Sequence, residues 1–228
     1  KLIVYNTPNN PSGHVFSRDE LMMLARACDR FDAYLIADEV YEHLVYPGHT
    51  HISALEIPEL RDRSVVVSSF SKTYLMTGWR VGWALGAAPL IAGIRKFTEL
   101  TNFCLPAFLC EGARFAIAEL PATYLQHFAS EHLRKRDLLC DGLRDLGLNV
   151  LVPQGTFFCS VDISDLVEDD DVRFCLRLAK DVGVAAVPMS LSWHQRREAR
   201  HLIRFCFAKQ DETLQQAIAA FAAWMDKR

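Results

Sequence analysis

Residues 64–72 read Ser64-Val65-Val66-Val67-Ser68-Ser69-Phe70-Ser71-Lys72. Three consecutive valines predict a strand that is apolar on both faces, as in a parallel sheet covered by helices. The polar residues that follow fall at the strand's carboxyl end, where open α/β sheets bind ligands. Lys72 is therefore a candidate nucleophile. Taken alone, a lysine is more often an exposed surface residue.

The pattern recurs twice upstream. Residues 2–6 and 33–37 read as short apolar strands, and each ends on polar residues. Asp38 follows the second strand and could face a protonated ring nitrogen, although an acid after a strand is more often a helix cap. Asn10 follows the first strand, within Asn9-Asn10-Pro11-Ser12-Gly13. Its amide both donates and accepts, although Asn-Pro-x-Gly is by itself a good turn. Between these strands, residues 17–31 carry a capping box, Ser17 with Glu20, and Phe16 is placed to staple onto Leu21. Leu21, Leu24, Ala25 and Cys28 form the helix's apolar face. Residues 81–86 read as a fourth strand.

Residues 90–101, 107–119 and 124–146 read as helices, the last long and charged. Strands follow at 150–152, 156–162, 184–187 and 202–207, with helices at 172–181 and 211–225. The expected architecture is α/β. A mostly parallel sheet lies between helices in residues 1–121, and residues 122–228 form a smaller α+β domain that includes the long linking helix. Asp169-Asp170-Asp171 reads as a solvated helix start, and Trp79 and Trp83 as core residues.

Composition narrows the function classes. The 228 residues are half apolar and carry a formal charge of −3, so no basic surface argues for a nucleic acid. No apolar run reaches the roughly 18 residues of a membrane span. Seven cysteines without a CxxC pair suggest buried free thiols and a reducing, cytoplasmic setting. His49-x-His51 lacks a third ligand, so no metal is expected there. The chain opens inside an apolar run with no Met and no leader pattern, so a preceding N-terminal part is expected.

Each candidate is weak alone, but three of them follow three strands. Asn10-Pro11-Ser12-Gly13, Asp38-Glu39-Val40-Tyr41, Ser69-Phe70-Ser71-Lys72, Gly78-Trp79-Arg80-Val81-Gly82 and Arg204-Phe205-Cys206-Phe207, in this order, resemble class I aminotransferases of pyridoxal phosphate (PLP) fold type I. The resemblance runs through nearly the whole chain. It implies that Lys72 holds the cofactor and shuttles a proton, and that Asp38 pairs with the pyridine nitrogen. Tyr41 and Asn10 would bond the ring's phenolic oxygen, Ser69 and Arg80 the phosphate, and Arg204 the substrate carboxylate. Gly155, within Pro153-Gln154-Gly155-Thr156-Phe157, would border the substrate entrance. Phe103 would reach a neighbouring subunit's pocket or sit in the core.

The resemblance also implies a homodimer and a preceding N-terminal part that completes the large domain. The expected substrates are an L-amino acid and a 2-oxo acid. Residues 38–43, 73–82 and 184–188 are most similar to the methionine, glutamine and kynurenine group, which implies large neutral, sulfur-containing or aromatic side chains. Two other readings stay open: a cysteine-conjugate β-lyase of the same fold, and an aminotransferase-like effector domain of a transcription regulator.

Overall fold

The computed structural model describes residues 1–166 and 170–227. The chain divides into two compact units. The first comprises residues 1–9 and 14–129, and the second residues 10–13 and 130–228. The division falls between Ala129 and Ser130.

The first unit holds β1 (Leu2–Asn6), α1 (Arg18–Phe31), β2 (Tyr34–Asp38), β3 (Ser64–Ser69), α2 (Phe70–Thr73), β4 (Gly82–Gly86), α3 (Ala88–Thr101) and α4 (Ala107–Ala118). It also holds the start of α5 (Tyr124–Asp145). Its sheet order is β1-β2-β3-β4. The first two pairings are parallel and the third is antiparallel, so the mostly parallel expectation holds for three strands. The reversal at β4 needs no crossover helix, because only α2 and a short turn separate it from β3.

The capping box forms as the sequence predicts. The Ser17 hydroxyl accepts from the Glu20 N–H and the Glu20 carboxylate accepts from the Ser17 N–H. Leu21, Ala25 and Cys28 are buried against Leu35, Ala37 and Val66, with Phe16 and Leu24 packed alongside. A second cluster of Phe70, Val81, Ala113 and Ala116 has the half-buried Trp83 packed against it, so that tryptophan meets the core expectation in part. Trp79 is not: it is 39% exposed. Its ring lies against Gly112, where an added Cβ would collide with it, so it covers α4 from outside.

The second unit holds the remainder of α5, then β5 (Asn149–Leu151), β6 (Phe158–Asp162), α6 (Asp171–Arg177), β7 (Val187–Pro188), β8 (Leu202–Cys206) and α7 (Asp211–Met225). The sheet order is β5-β6-β8-β7, antiparallel throughout. The strand expected at 184–187 shrinks to Val187 and Pro188. A π-turn at Leu178–Val182 and the left-handed Gly183 occupy the approach to it.

The acidic run at 169–171 also departs from expectation. Asp169 lies outside the described residues. Asp170 caps α6 by accepting from the Arg173 N–H at 3.0 Å. Asp171 is fully buried and accepts from the Ser190 N–H at 2.7 Å, which pins the turn after β7 rather than facing solvent. All seven cysteines are unpaired. Cys28, Cys140, Cys159 and Cys175 are buried, whereas Cys104 and Cys110 are exposed.

Gly13 (φ +74°) sits where only glycine fits without strain. Its carbonyl accepts from the N–H groups of Gln154 and Gly155 at 3.0 and 2.9 Å. A Cβ there would overlap the Pro153 side chain. Gly13→Ala is expected to lower stability by about 1–3 kcal/mol, measured as the urea midpoint at unchanged slope. A neutral result would show that the 153–155 loop yields freely.

Candidate active site

Parallel register sets the site. Asp38 pairs with Val67, so the end of β2 lies beside the residues that lead into Ser69 and α2. Ser69 caps α2, its hydroxyl accepting from the Ser71 N–H at 3.2 Å. Asp38, Val40, Val67, Ser68, Ser69, Ser71, Lys72 and Arg80 then line one cleft of about 310 Å³. Four of the candidate residues, Asp38, Ser69, Lys72 and Arg80, are thus brought together. Tyr41 is buried beside them, its ring 5.7 Å from the Lys72 amine.

Asp38 is half-buried and accepts from the Val40 N–H at 3.2 Å. Burial pushes its carboxyl above the ordinary carboxylate range. The Val40 N–H and the Lys72 charge oppose the shift, and the adjacent Glu39 adds to it. The carboxylate is therefore only partly compensated, and a cation placed in the cleft would complete the compensation. Arg80 is exposed and left-handed (φ 57°), with Nη1 donating to the Thr77 carbonyl at 3.1 Å. A carboxylate, an amine, a hydroxyl and a guanidinium around one cleft fit a phosphorylated pyridine: the acid suits the ring nitrogen and the guanidinium the phosphate.

The second unit holds the other candidates. Arg204 on β8 lies with its guanidinium 4.0 Å from the centroid of the Phe158 ring. Its Nη1 donates to the Asn10 side-chain oxygen, which joins two residues 194 positions apart. Stacked on an aromatic face, the planar fork is oriented for a carboxylate. Gly155 is buried and clasped to Gly13. Phe103, in the first unit, is 82% exposed, which removes the core reading.

Sequence reasoning assigned no role to two further residues. Glu39 is 1% exposed and holds the segment from 51 to 54 through His51, Ser53 and Ala54. Tyr124, on α5, donates to the Thr73 carbonyl at 2.8 Å and stacks on Tyr74, which braces the turn that carries Lys72. An acid directly after an apolar strand was the available signal for Glu39. Nothing local marks Tyr124.

The sequence model of the aminotransferase class I and II family matches residues 1–221. Human kynurenine–oxoglutarate transaminase 1 is 36% identical over 98% of this chain and 58% of its own length. The methionine aminotransferase of Escherichia coli K12 is 38% identical over 94% of the chain and 55% of its own length. Among solved structures, N-succinyldiaminopimelate aminotransferase from Mycobacterium tuberculosis superposes with a TM-score of 0.90 at 34% identity. That match covers 98% of this chain and 58% of the other. The chain spans somewhat over half the length of the relatives it matches. Its fold is the α/β fold type I of these enzymes. By the family match and the site-bearing strand ends together, the chain belongs to the class I and II aminotransferases.

Proposed function

We propose that the protein carries out PLP-dependent transamination between an L-amino acid and a 2-oxo acid. The observation that carries this reading is the shared cleft of Lys72 and Asp38, with the lysine's charge acting on the acid. The first unit would be the C-terminal part of the cofactor-binding domain and the second the small domain. The family uses PLP. When bound, PLP supplies an electron-withdrawing ring that stabilises negative charge at the substrate α-carbon.

The chain's residues do the rest. Asp38 holds a proton on the ring nitrogen by offering a carboxylate that burial leaves short of partners. The Lys72 amine anchors the cofactor and moves a proton to and from the substrate α-carbon, as a general base of this kind does. Ser69 and Arg80 bind phosphate oxygens. Tyr41 and Asn10 donate to the phenolic oxygen. Arg204 takes the substrate carboxylate in a bidentate pair, with Gly155 bordering the entrance. The donor leaves as its 2-oxo acid, and a second oxo acid takes the amino group.

Large neutral, sulfur-containing or aromatic donors are the proposed class. Relatives named for kynurenine and methionine support it, while one named for N-succinyldiaminopimelate sets a different side chain beside them. A cytoplasmic homodimer, with Phe103 reaching the neighbouring subunit, completes the proposal. Seven unpaired thiols support a reducing compartment. No helix among the described residues is long and apolar enough to cross a membrane.

The test supplies the full-length protein with PLP, methionine, glutamine or kynurenine, and a 2-oxo acid, and measures both products. Equal amounts of donor oxo acid and aminated acceptor are expected. Pyruvate and ammonia from a cysteine conjugate, without an aminated acceptor, would instead mark a β-lyase. Arg204→Ala is expected to raise KM for the amino acid by about 10- to 100-fold, the value of a charged hydrogen bond, with a smaller change in kcat. An unchanged KM would remove Arg204 from the substrate site.

A further inference from the structure

A second polar cluster occupies the first unit behind the cleft, which it meets at Ser68. Glu39 Oε1 accepts from the Ser53 hydroxyl and the Ala54 N–H at 3.1 and 2.8 Å. This leaves Oε2 facing His51 Nε2 at 3.1 Å. Glu42 Oε1 accepts from the Ser68 hydroxyl at 2.8 Å and lies 4.0 Å from His43 Nε2. One ligand atom each from Glu39, Glu42 and His51 lie within 4.8 Å of one another. Two buried polar atoms associated with the cluster have no hydrogen-bond partner: His51 Nδ1 and the Tyr5 hydroxyl. Tyr5 is only 8% exposed, and the Glu39 charge reaches its phenol.

We infer that Glu39, Glu42 and His51 bind a divalent cation of the zinc class, with His43 as the fourth ligand. Zinc bonds nitrogen and oxygen at about 2.0–2.2 Å, which sets tetrahedral ligand atoms roughly 3.3 Å apart. The Glu39–His51 pair already stands near that separation. Glu42 and His43 close inward from half-buried positions to complete the set. Each carboxylate has one oxygen held from outside by a hydroxyl, and Glu39 by an amide as well, which is how outer partners orient metal-binding acids. Two carboxylates balance the charge of the ion. Two imidazoles favour zinc over calcium or magnesium, which take oxygen ligands. The isolated His49-x-His51 motif did not reveal this site, because the acids come from the turn after β2 and His49 faces solvent. The ion would tie that turn to the segment at 51–54.

The experiment titrates chelator-treated, PLP-loaded full-length protein with zinc chloride in a calorimeter, after alkylating the exposed thiols Cys104 and Cys110. One zinc per chain is expected, with a rise in Tm. Glu42→Gln and His51→Gln should each weaken binding by about 100-fold or more, since loss of even an outer partner costs 10–100-fold. Their circular dichroism should stay unchanged, and each variant's own metal-free Tm is the baseline for its zinc shift. X-ray absorption of the loaded wild-type protein should show nitrogen and oxygen ligands with imidazole scattering, a readout that stands if a variant fails to fold. Absence of equimolar binding, wild-type affinity in either variant, or a sulfur-containing shell would overturn the site and leave a hydrogen-bonded His51–Glu39 pair only.

Discussion

Lys72→Ala is expected to lower transamination by about 10⁴-fold or more. A positioned general base is typically worth 10²–10⁴ in rate, and this substitution removes the covalent anchor as well. The residue lies on a single helical turn, α2, whose start is capped by Ser69 and whose last carbonyl is held by Tyr124. Truncation at Lys72 should therefore leave the turn in place, and the loss should reflect chemistry rather than unfolding. Initial rates at saturating PLP, with circular dichroism as the fold control, measure it. A rate within tenfold of the unaltered protein would contradict the role.

Asp38→Asn should weaken PLP binding by about 100-fold. Breaking a buried ion pair costs about 3–5 kcal/mol, and half-burial places Asp38 at the lower end. Asparagine keeps the shape and the bond from the Val40 N–H while removing the charge. The substitution should also remove a pH dependence. The folded pKa of Asp38 is raised, chiefly by burial, so without a cationic partner its ionisation opposes stability as pH rises from the ordinary value through the raised one. A protonated ring nitrogen offsets that cost. PLP affinity should therefore increase as pH climbs through this window in the unaltered protein and stay flat across it in Asp38→Asn. A spectroscopic titration at several pH values reads both effects.

The first unit was legible where local pattern and burial coincide. The valines of β3 predicted a doubly buried strand, and the Ser17–Glu20 box located the start of α1 within one residue. The positions of Asp38 and Lys72 at strand ends followed from the same reading, and register then brought both to one cleft. What stayed hidden depends on partners remote in sequence. Asp171 reads as a solvated cap until Ser190, 19 residues on, takes its carboxylate. Glu39 reads as one acid of a family motif until the segment at 51–54 folds onto it. The direction of β4 is set by the short connection from β3, and composition alone does not reveal it. Trp79 shows the same limit from the other side, since an aromatic between glycine and arginine carries no sign of how much solvent it keeps.

The most direct test is covalent. The full-length protein is loaded with PLP, reduced with borohydride, digested and read by mass spectrometry. One phosphopyridoxyl group on the peptide containing Lys72 is the result expected here. A label on another lysine, or none at all in a protein that retains its fold, would contradict the assignment of this cleft to the cofactor.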